Sequence, residues 1–467
     1  MFSMSRLSAA MLRSEPDHPD RPTGRSMRGT AIGFMVAVLV AIVVVVVSAL
    51  FPPKPDWRAE GALVIDKQTG ARYLYLGGTL RPLMNLTTAQ LLLGGKGPVV
   101  QIDSAAMSGV PRGALLGIVG APEVLPAAGT LTVDPWLTCA VPPATATEQP
   151  SVALQIGFPA LGSAVANGQA TLVTGPDGVE HLLLGGRRHA LDGAGVTRQA
   201  LGYAAARPVP VTAEFLRLLP TGPQLAPPEV AGRGDPGTSL GGRATRVGQV
   251  FAAPGGSSYL LTATGLVPLT DTLRALVLGD PRTQTMAYGG DAPTADELGP
   301  QDVLAHLAPD QASPPAELPS TPPRLVEVAA DTVLCIRTSA DRTPPSHTLV
   351  TVAATSLTGR VGVAPVAGIL PGCGQVSMLA VRGGSGVLLQ TTAATGEKPA
   401  WYLVADNGVR YPLPADGPPA VLGYAKGSEA RLPADLVNLL PTGPALDPAL
   451  LQQGAGGQPM LPPTCPS

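Results

Sequence analysis

One stretch of the chain is apolar without interruption, and everything after it is broken into short pieces. From Ala31 to Phe51 the sequence reads AIGFMVAVLVAIVVVVVSALF, and no charged residue falls between Arg28 and Lys54. Its 21 residues at about 1.5 Å each would cross about 30 Å, the thickness of a bilayer's hydrocarbon core. Val43 to Val47 is an unbroken β-branched run. Water-soluble helices avoid such runs, but lipid tolerates them because every backbone group must bond internally. The pattern predicts a transmembrane helix over residues 29–51. A cleaved signal peptide would have a shorter apolar region and a small-x-small site. Ser48-Ala49-Leu50 ahead of Phe51-Pro52-Pro53 does not supply one.

Beyond the span the chain repeats itself. Leu201-Gly202-Tyr203 recurs as Leu422-Gly423-Tyr424, and Leu219-Pro220-Thr221-Gly222-Pro223 recurs as Leu440-Pro441-Thr442-Gly443-Pro444, both at an offset of 221. Two fainter copies share the upstream half, an apolar pair, a turn and a second apolar pair. Tyr73-Leu74, Gly77-Gly78 and Pro82-Leu83 form the first; Tyr259-Leu260, Gly265 and Pro268-Leu269 form the third. His181-Leu182 with Ala190-Leu191, and Tyr402-Leu403 with Pro412-Leu413, are the equivalents in the second and fourth. Gly-Gln pairs at Gly168-Gln169, Gly248-Gln249 and Gly374-Gln375 open three copies in the same way.

Gly-Gly and Asn-Gly supply the positive φ of tight hairpins. Thr212 to Leu219 then has helical spacing, with Phe215, Leu218 and Leu219 on one stripe and Pro220 as the stop; Leu436, Leu439 and Leu440 repeat the stripe. Each unit therefore reads as a hairpin followed by a short helix, and the stripes as core. The chain divides into a segment 1–28, the helix 29–51, repeat 1 at 60–110, a core part at 111–149, repeat 2 at 150–225, repeat 3 at 244–310, a second core part at 311–373, repeat 4 at 374–450 and a tail 451–467. The core parts hold strand-like pieces, LLGIV, TVLCIR and VGVAPV. Residues 226–243 read as a linker or exposed loop.

Composition narrows the class. With 56 Gly and 52 Pro in 467 residues, long helical bundles are excluded, and the lack of a G-X-Y period excludes collagen. At 45% hydrophobic the chain is too apolar for disorder, and a net charge of −2 leaves no footprint for nucleic acid. Arg6, Arg13, Arg21, Arg25 and Arg28 precede the span, while Lys54 and Arg58 alone follow closely. That asymmetry puts the N-terminus in the cytoplasm and the large remainder outside. Cys139, Cys335, Cys373 and Cys465 all follow the span, where disulfides are permitted, and four cysteines allow three pairings. A bridge closing the 139–335 loop would contribute up to roughly 5 kcal/mol.

Catalytic chemistry is sought and not found. Gly95-Lys96 is followed by Gly97, so there is no Walker A loop, and GxSxG is absent. His181 and His189 bracket one hairpin, where they could face each other as a packed pair. Asp291, Asp296, Glu297 and Asp302 lack calcium-loop spacing and read as a solvated loop opening a helix near Val303. Arg233-Gly234-Asp235 reads as an accidental tripeptide. No cofactor or metal set is expected. Met4, Leu7 and Met11 fall on one helical face beside Arg6 and Arg13, which suits either docking or an anionic leaflet.

The lead Leu12-Arg13-Ser14-Glu15-Pro16-Asp17 into the anchor resembles the start of the EccB family, the single-pass component of type VII (ESX) secretion complexes. The resemblance continues through RYLYLGGTLRPLMNLTTAQLLLG, VPRGALLGIVGAPEVLP, Trp136-Leu137-Thr138-Cys139 and LLPTGPALDPA, over nearly the whole chain. It implies an α+β protein of the plasma membrane, with an elongated extracytoplasmic domain of four small repeats around a β-rich core. It also implies a core disulfide between Cys139 and Cys335, self-association, and EccC-, EccD- and EccE-like partners. Two departures stand out. The lead before Arg6 is shorter than the family's, and Cys373 and Cys465 have no mapped counterpart; a second bridge closing the tail is the expectation. The resulting expectation is a scaffold subunit. A cell-wall-binding repeat protein and an ATPase, an activity attributed to some family members, are the alternatives.

Overall fold

The computed structural model describes residues 22–50 and 56–452 except 146, 160–161, 193–194, 310–317, 341–343, 358, 362–365, 393–398 and 426, together with Met4, Leu7, Met11 and Cys465. Helix α1 covers Pro22–Leu50. Met27–Ser48 within it is long and apolar enough to cross a membrane, and none of it is buried by protein. Phe51, the expected end of the span, lies outside the described residues, as do Arg6 and Arg13.

Four sheets share one topology. In the first, β1 (Leu63–Asp66), β2 (Arg72–Leu76) and β3 (Thr79–Pro82) run as an antiparallel meander, and β4 (Val99–Ile102) returns parallel to β1. The second is β8 (Gln169–Thr174), β9 (Glu180–Leu184) and β10 (Arg187–Ala190), with β11 (Val209–Pro210) parallel to β8 and a short extra strand, β16 (Arg324–Leu325), also pairing parallel with β8. The third is β12 (Val250–Ala252), β13 (Ser258–Thr262) and β14 (Gly265–Leu269), with β15 (Ala295–Glu297) parallel to β12. The fourth is β21 (Val387–Thr392), β22 (Trp401–Val404) and β23 (Arg410–Pro412), with β24 (Ala430–Pro433) parallel to β21.

The parallel fourth strand is absent from the hairpin-helix unit expected from sequence. It is only two to four residues long in each copy, too short to show a period. A parallel return needs a crossover, and each crossover carries a helix. These are α2 (Leu86–Leu93), α3 (Val196–Ala200), α5 (Asp271–Leu278) and a 3₁₀ turn at Ala420–Leu422. Their ends are fixed locally. The Asn85 side chain accepts from the Thr88 N–H to start α2, and Gly94, at φ 63°, ends it; Thr270 caps α5 in the same way as Asn85. The helix read from the leucine stripe follows the fourth strand. It is α4 (Ala213–Arg217), capped by Thr212, in the second module and α7 (Ala434–Val437) in the fourth, where Pro433 sits at the cap instead of inside the first turn.

A fifth sheet has seven strands in the order β19-β20-β6-β5-β17-β18-β7. Its strands are β5 (Trp136–Val141), β6 (Ser151–Ile156), β7 (Ser163–Ala164), β17 (Thr332–Ser339), β18 (Ser346–Ala353), β19 (Arg360–Val361) and β20 (Val376–Val381). TVLCIR is thus a central strand. Among the described residues LLGIV makes one bridge, Leu116 to Leu83, and most of VGVAPV lies outside them. Strands β6 and β20, at the expected starts of repeats 2 and 4, belong to this sheet. Gly374-Gln375 therefore precedes a core strand and opens no repeat.

Alternation splits the sheet's side chains by face. Trp136, Leu154, Leu334 and Ile336 join one cluster; Leu137, Cys139, Val333, Cys335 and Val350 join another. Cys139 stands directly opposite Cys335 in the β5–β17 register, and their sulfurs are 2.07 Å apart. Cys373 and Cys465 are likewise 2.09 Å apart. The first bridge closes a loop of 196 residues holding the second and third modules; the second closes 92 residues holding the fourth.

By contact density, residues 1–80 with 97–111 form one compact unit and the remainder a second. The first unit has its own core of Ala62, Val64, Leu80 and Met107. In the second unit, α3 and α5 pack the second and third modules together, with Leu276 among Leu182, Leu201 and Tyr203. Helix α2 contributes Leu91 to the fourth module's core beside Leu403 and Tyr411.

Non-reducing peptide mapping should recover Cys139 linked to Cys335 and Cys373 linked to Cys465. A Cys139–Cys373 or Cys139–Cys465 peptide would contradict the structure. Replacing Cys139 and Cys335 together by Ala should cost about 2–5 kcal/mol in urea unfolding.

Candidate functional site

The repeated LPTGP segment has the same geometry wherever it occurs. After α4 and α7 the chain turns back along the third strand of its module. The Arg188 N–H donates to the Pro220 carbonyl, and the Gly222 N–H donates to the Arg188 carbonyl. In the fourth module the Arg410 N–H donates to Pro441, and the Gly443 N–H to Arg410. The threonine hydroxyl receives the guanidinium Nε, Arg188 to Thr221 at 3.2 Å and Arg410 to Thr442 at 2.8 Å.

Each residue of the motif is needed in place. Proline ends the helix and has no N–H to leave unpaired. Glycine leaves room for the ring that follows the arginine. A Cβ on Gly222 would lie 2.3 Å from the His189 ring, and one on Gly443 would lie 2.3 Å from the Tyr411 ring. The sequence reading missed the arginine–threonine pair. Arg188 and Arg410 are 222 apart where the downstream motif is offset by 221, because the fourth hairpin carries one extra residue. Aligning the hairpins with that insertion would have revealed it.

Arg410 is almost fully buried and donates also to the Asn438 side chain at 2.7 Å, with its guanidinium carbon 4.9 Å from the Tyr402 ring centre. Burial lowers its pKa, and burial pushes the neighbouring Tyr411 phenol up to about 12. Both belong to packing that locks the motif, as do the stripes themselves. Phe215, Leu218, Leu219, Leu436, Leu439 and Leu440 are all buried in the cluster that contains Trp136 and Leu334.

The remaining candidate residues fall apart. His181 pairs with Ala190 and His189 with Leu182, so the two imidazoles project from opposite faces of the hairpin and cannot meet. His189 is buried, with Nδ1 2.9 Å from the Pro223 carbonyl oxygen. Asp296 and Glu297 are in β15 instead of a loop, whereas Asp302 lies in the first turn of α6 (Pro300–Ala305). Among the described residues no three His, Cys, Asp or Glu side chains group as metal ligands.

The 226–243 segment is not a free linker. Arg233 is buried and donates to Asp280 at 2.5 Å, Thr283 at 2.5 Å and the Pro228 carbonyl at 2.8 Å. Arg282 bridges Asp280 and Glu229 on the outer side. Burial opposes the charge on Asp280, but hydrogen bonds from Arg282 and Arg233 outweigh it and hold the carboxyl below its usual range. Arg233 of the Arg233-Gly234-Asp235 tripeptide is therefore a structural clamp on the third module.

Residues 1–455 match the family described as type VII secretion system ESX-1, transport TM domain B. The chain is 30% identical, over 97% of its length and 92% of the relative's, to "ESX-1 secretion system ATPase EccB1" of Mycobacterium tuberculosis. It is 27% identical, over 95% of its length and 87% of the relative's, to "ESX-3 secretion system ATPase EccB3" of Mycolicibacterium smegmatis. A chain of an intact ESX-5 inner membrane complex superimposes with a TM-score of 0.66 at 20% identity, covering 99% of this chain and 94% of that one. A chain of an EccB3 dimer from an ESX-3 core complex gives 0.63 at 26% identity, covering 83% and 98%.

The motif geometry sets the cost of added atoms. Gly443→Ala should destabilise by about 1–3 kcal/mol through overpacking against Tyr411. Gly129→Ala, where a Cβ meets open space, should stay within about 0.5 kcal/mol. Equal losses in urea midpoint would contradict the assignment.

A pH effect follows from His347, which is half-buried on β18 beside Thr338 at 3.1 Å and has its pKa lowered by burial. The unfolded chain takes up a proton near the usual value of about 6.5 before the folded one does. Stability from this group is thus complete above that pH and falls as the solution is acidified through it. The urea midpoint should drop below neutrality, and His347→Gln should flatten the drop.

Proposed function

The chain belongs to the EccB family of type VII (ESX) secretion systems, and from that premise we propose that it is a structural, membrane-anchored subunit of such a secretion complex. The observation that carries the reading is the joining of one lipid-compatible helix to four modules of a single topology. Repeated modules supply several similar packing surfaces on one chain, which is what a scaffold requires and what a single reaction does not.

The N-terminus faces the cytoplasm and the modules lie on the opposite side, a reading supported by five arginines before the span against Lys54 and Arg58 after it. The disulfide pairs support an oxidising compartment for the modules. Partners are EccC-, EccD- and EccE-like membrane subunits together with further copies of this chain. The related structures, an ESX-5 inner membrane complex and an EccB3 dimer, support that choice.

The relatives' names make ATP hydrolysis the competing reading. Phosphate cradling in P-loop enzymes needs a Gly-rich loop ending in Lys-Ser or Lys-Thr, and Gly95-Lys96-Gly97 is not one.

Mild-detergent purification of the tagged full chain from its host should retain EccC- and EccD-like subunits. Recovery of the chain free of both, under conditions that keep other membrane complexes intact, would defeat the scaffold reading. Partner-free protein should release no phosphate from ATP. Turnover that survives further purification and is abolished by a point substitution would establish the enzymatic reading instead.

A further inference from the structure

The first module displays an aromatic corner immediately after the anchor. Trp57 is half-exposed and packs edge-on against Tyr75, with ring centroids 6.1 Å apart and planes at 80°. The exposed Arg58 lays its guanidinium carbon 4.8 Å from the centre of the Trp57 ring. The two rings rest on the small core of Ala62, Val64, Leu80 and Met107, so the corner is rigid and needs no ordering on contact.

Position along the chain says what this corner meets. Nine residue steps separate Ser48, the end of the apolar window, from Trp57, a fully extended reach of about 30 Å. Pro52, Pro53 and Pro55 fall among the intervening residues, a composition that disfavours continuing the helix to Trp57. A tryptophan and a tyrosine held this close to the end of a span have the amphipathic character that favours the bilayer's headgroup region.

We propose that the Trp57–Tyr75–Arg58 corner is an interfacial anchor, docking the first module on the leaflet that receives the C-terminal end of α1. The proposal rests on α1 spanning the membrane but not on which side is cytoplasmic.

The local charges identify the kind of lipid surface. Asp56 accepts from the Arg58 N–H at 2.9 Å, and Glu60 accepts from the Gly77 N–H at 2.9 Å. With Lys54 and Arg58 these carboxylates leave the neighbourhood with no net charge. Docking therefore depends on the rings partitioning into the carbonyl and headgroup layer, and a zwitterionic phosphatidylcholine surface is sufficient. Salt should not release it.

Tryptophan fluorescence can test this directly, because the chain has three tryptophans and the other two, Trp136 and Trp401, are buried. The full chain is reconstituted in phosphatidylcholine nanodiscs with and without bromine on the acyl carbons nearest the headgroup. Bromolipid should reduce emission by up to about a third, the share of one indole in three, equally at low and high salt. The reduction should vanish in Trp57→Phe. If that variant folds poorly, Trp57→Tyr keeps an interfacial ring while removing the reporter. Incorporation without bromolipid quenching, or quenching that persists in both variants, overturns the proposal alone. Failure to enter nanodiscs at all overturns the span and the proposal together.

Discussion

The second unit depends on the burial of two leucine stripes against one face of a seven-stranded sheet. Phe215, Leu218 and Leu219 from the second module and Leu436, Leu439 and Leu440 from the fourth share a cluster with Trp136, Leu154, Leu334 and Ile336. Burying one such side chain is worth about 1.5–3 kcal/mol, against a typical domain stability of about 5–15 kcal/mol. Neither module can be lifted from the sheet without exposing that surface. The LPTGP turn follows each stripe because the chain must leave the helix at once and run back along its own third strand. The stripe makes the helix dock, and the turn fixes where the chain goes next.

The other contacts extend the same logic outward. The third module is joined to the second through Leu276 on α5, and the Arg233–Asp280 pair clamps the connecting segment. A buried ion pair is weak evidence for stability, since desolvation offsets the attraction. Here it has a positional role, because Arg233 also reaches Thr283 and the Pro228 carbonyl. Similar modules and dissimilar joints give one chain several distinct surfaces, the property that a scaffold in a secretion complex would use.

Much of this was legible in the sequence, and the parts that were not have physical reasons. The span, the hairpin pairs and the LPTGP repeat carry strong local signals. TVLCIR was recognisable because a strand buried on both faces reads as a continuous apolar run. The fourth strand of each module was invisible because two to four residues have no measurable period. Strands β6 and β20 were assigned to modules because nothing local distinguishes a core strand from a module strand; only the β6–β20 pairing does. The His181–His189 pair failed on register, since adjacent positions in a strand point to opposite faces. Residues 226–243 looked like a linker from their glycines and prolines, but Arg233 inside them finds a buried partner 47 positions away.

The cysteine loops bear on how the molecule would carry tension. A pull between the membrane anchor and the C-terminal tail would pass from Cys139 to Cys335 and from Cys373 to Cys465 through sulfur. The 196 and 92 residues between them would lie outside the stressed path. At about 3.5 Å per residue, roughly 1,000 Å of potential slack is withheld. The second, third and fourth modules would be shielded from the pull, which the first module and residues 336–372 would bear. A subunit tethered between a membrane and its neighbours would then resist load through its first module and the chain between the two bridges, without asking the other three modules to resist unfolding.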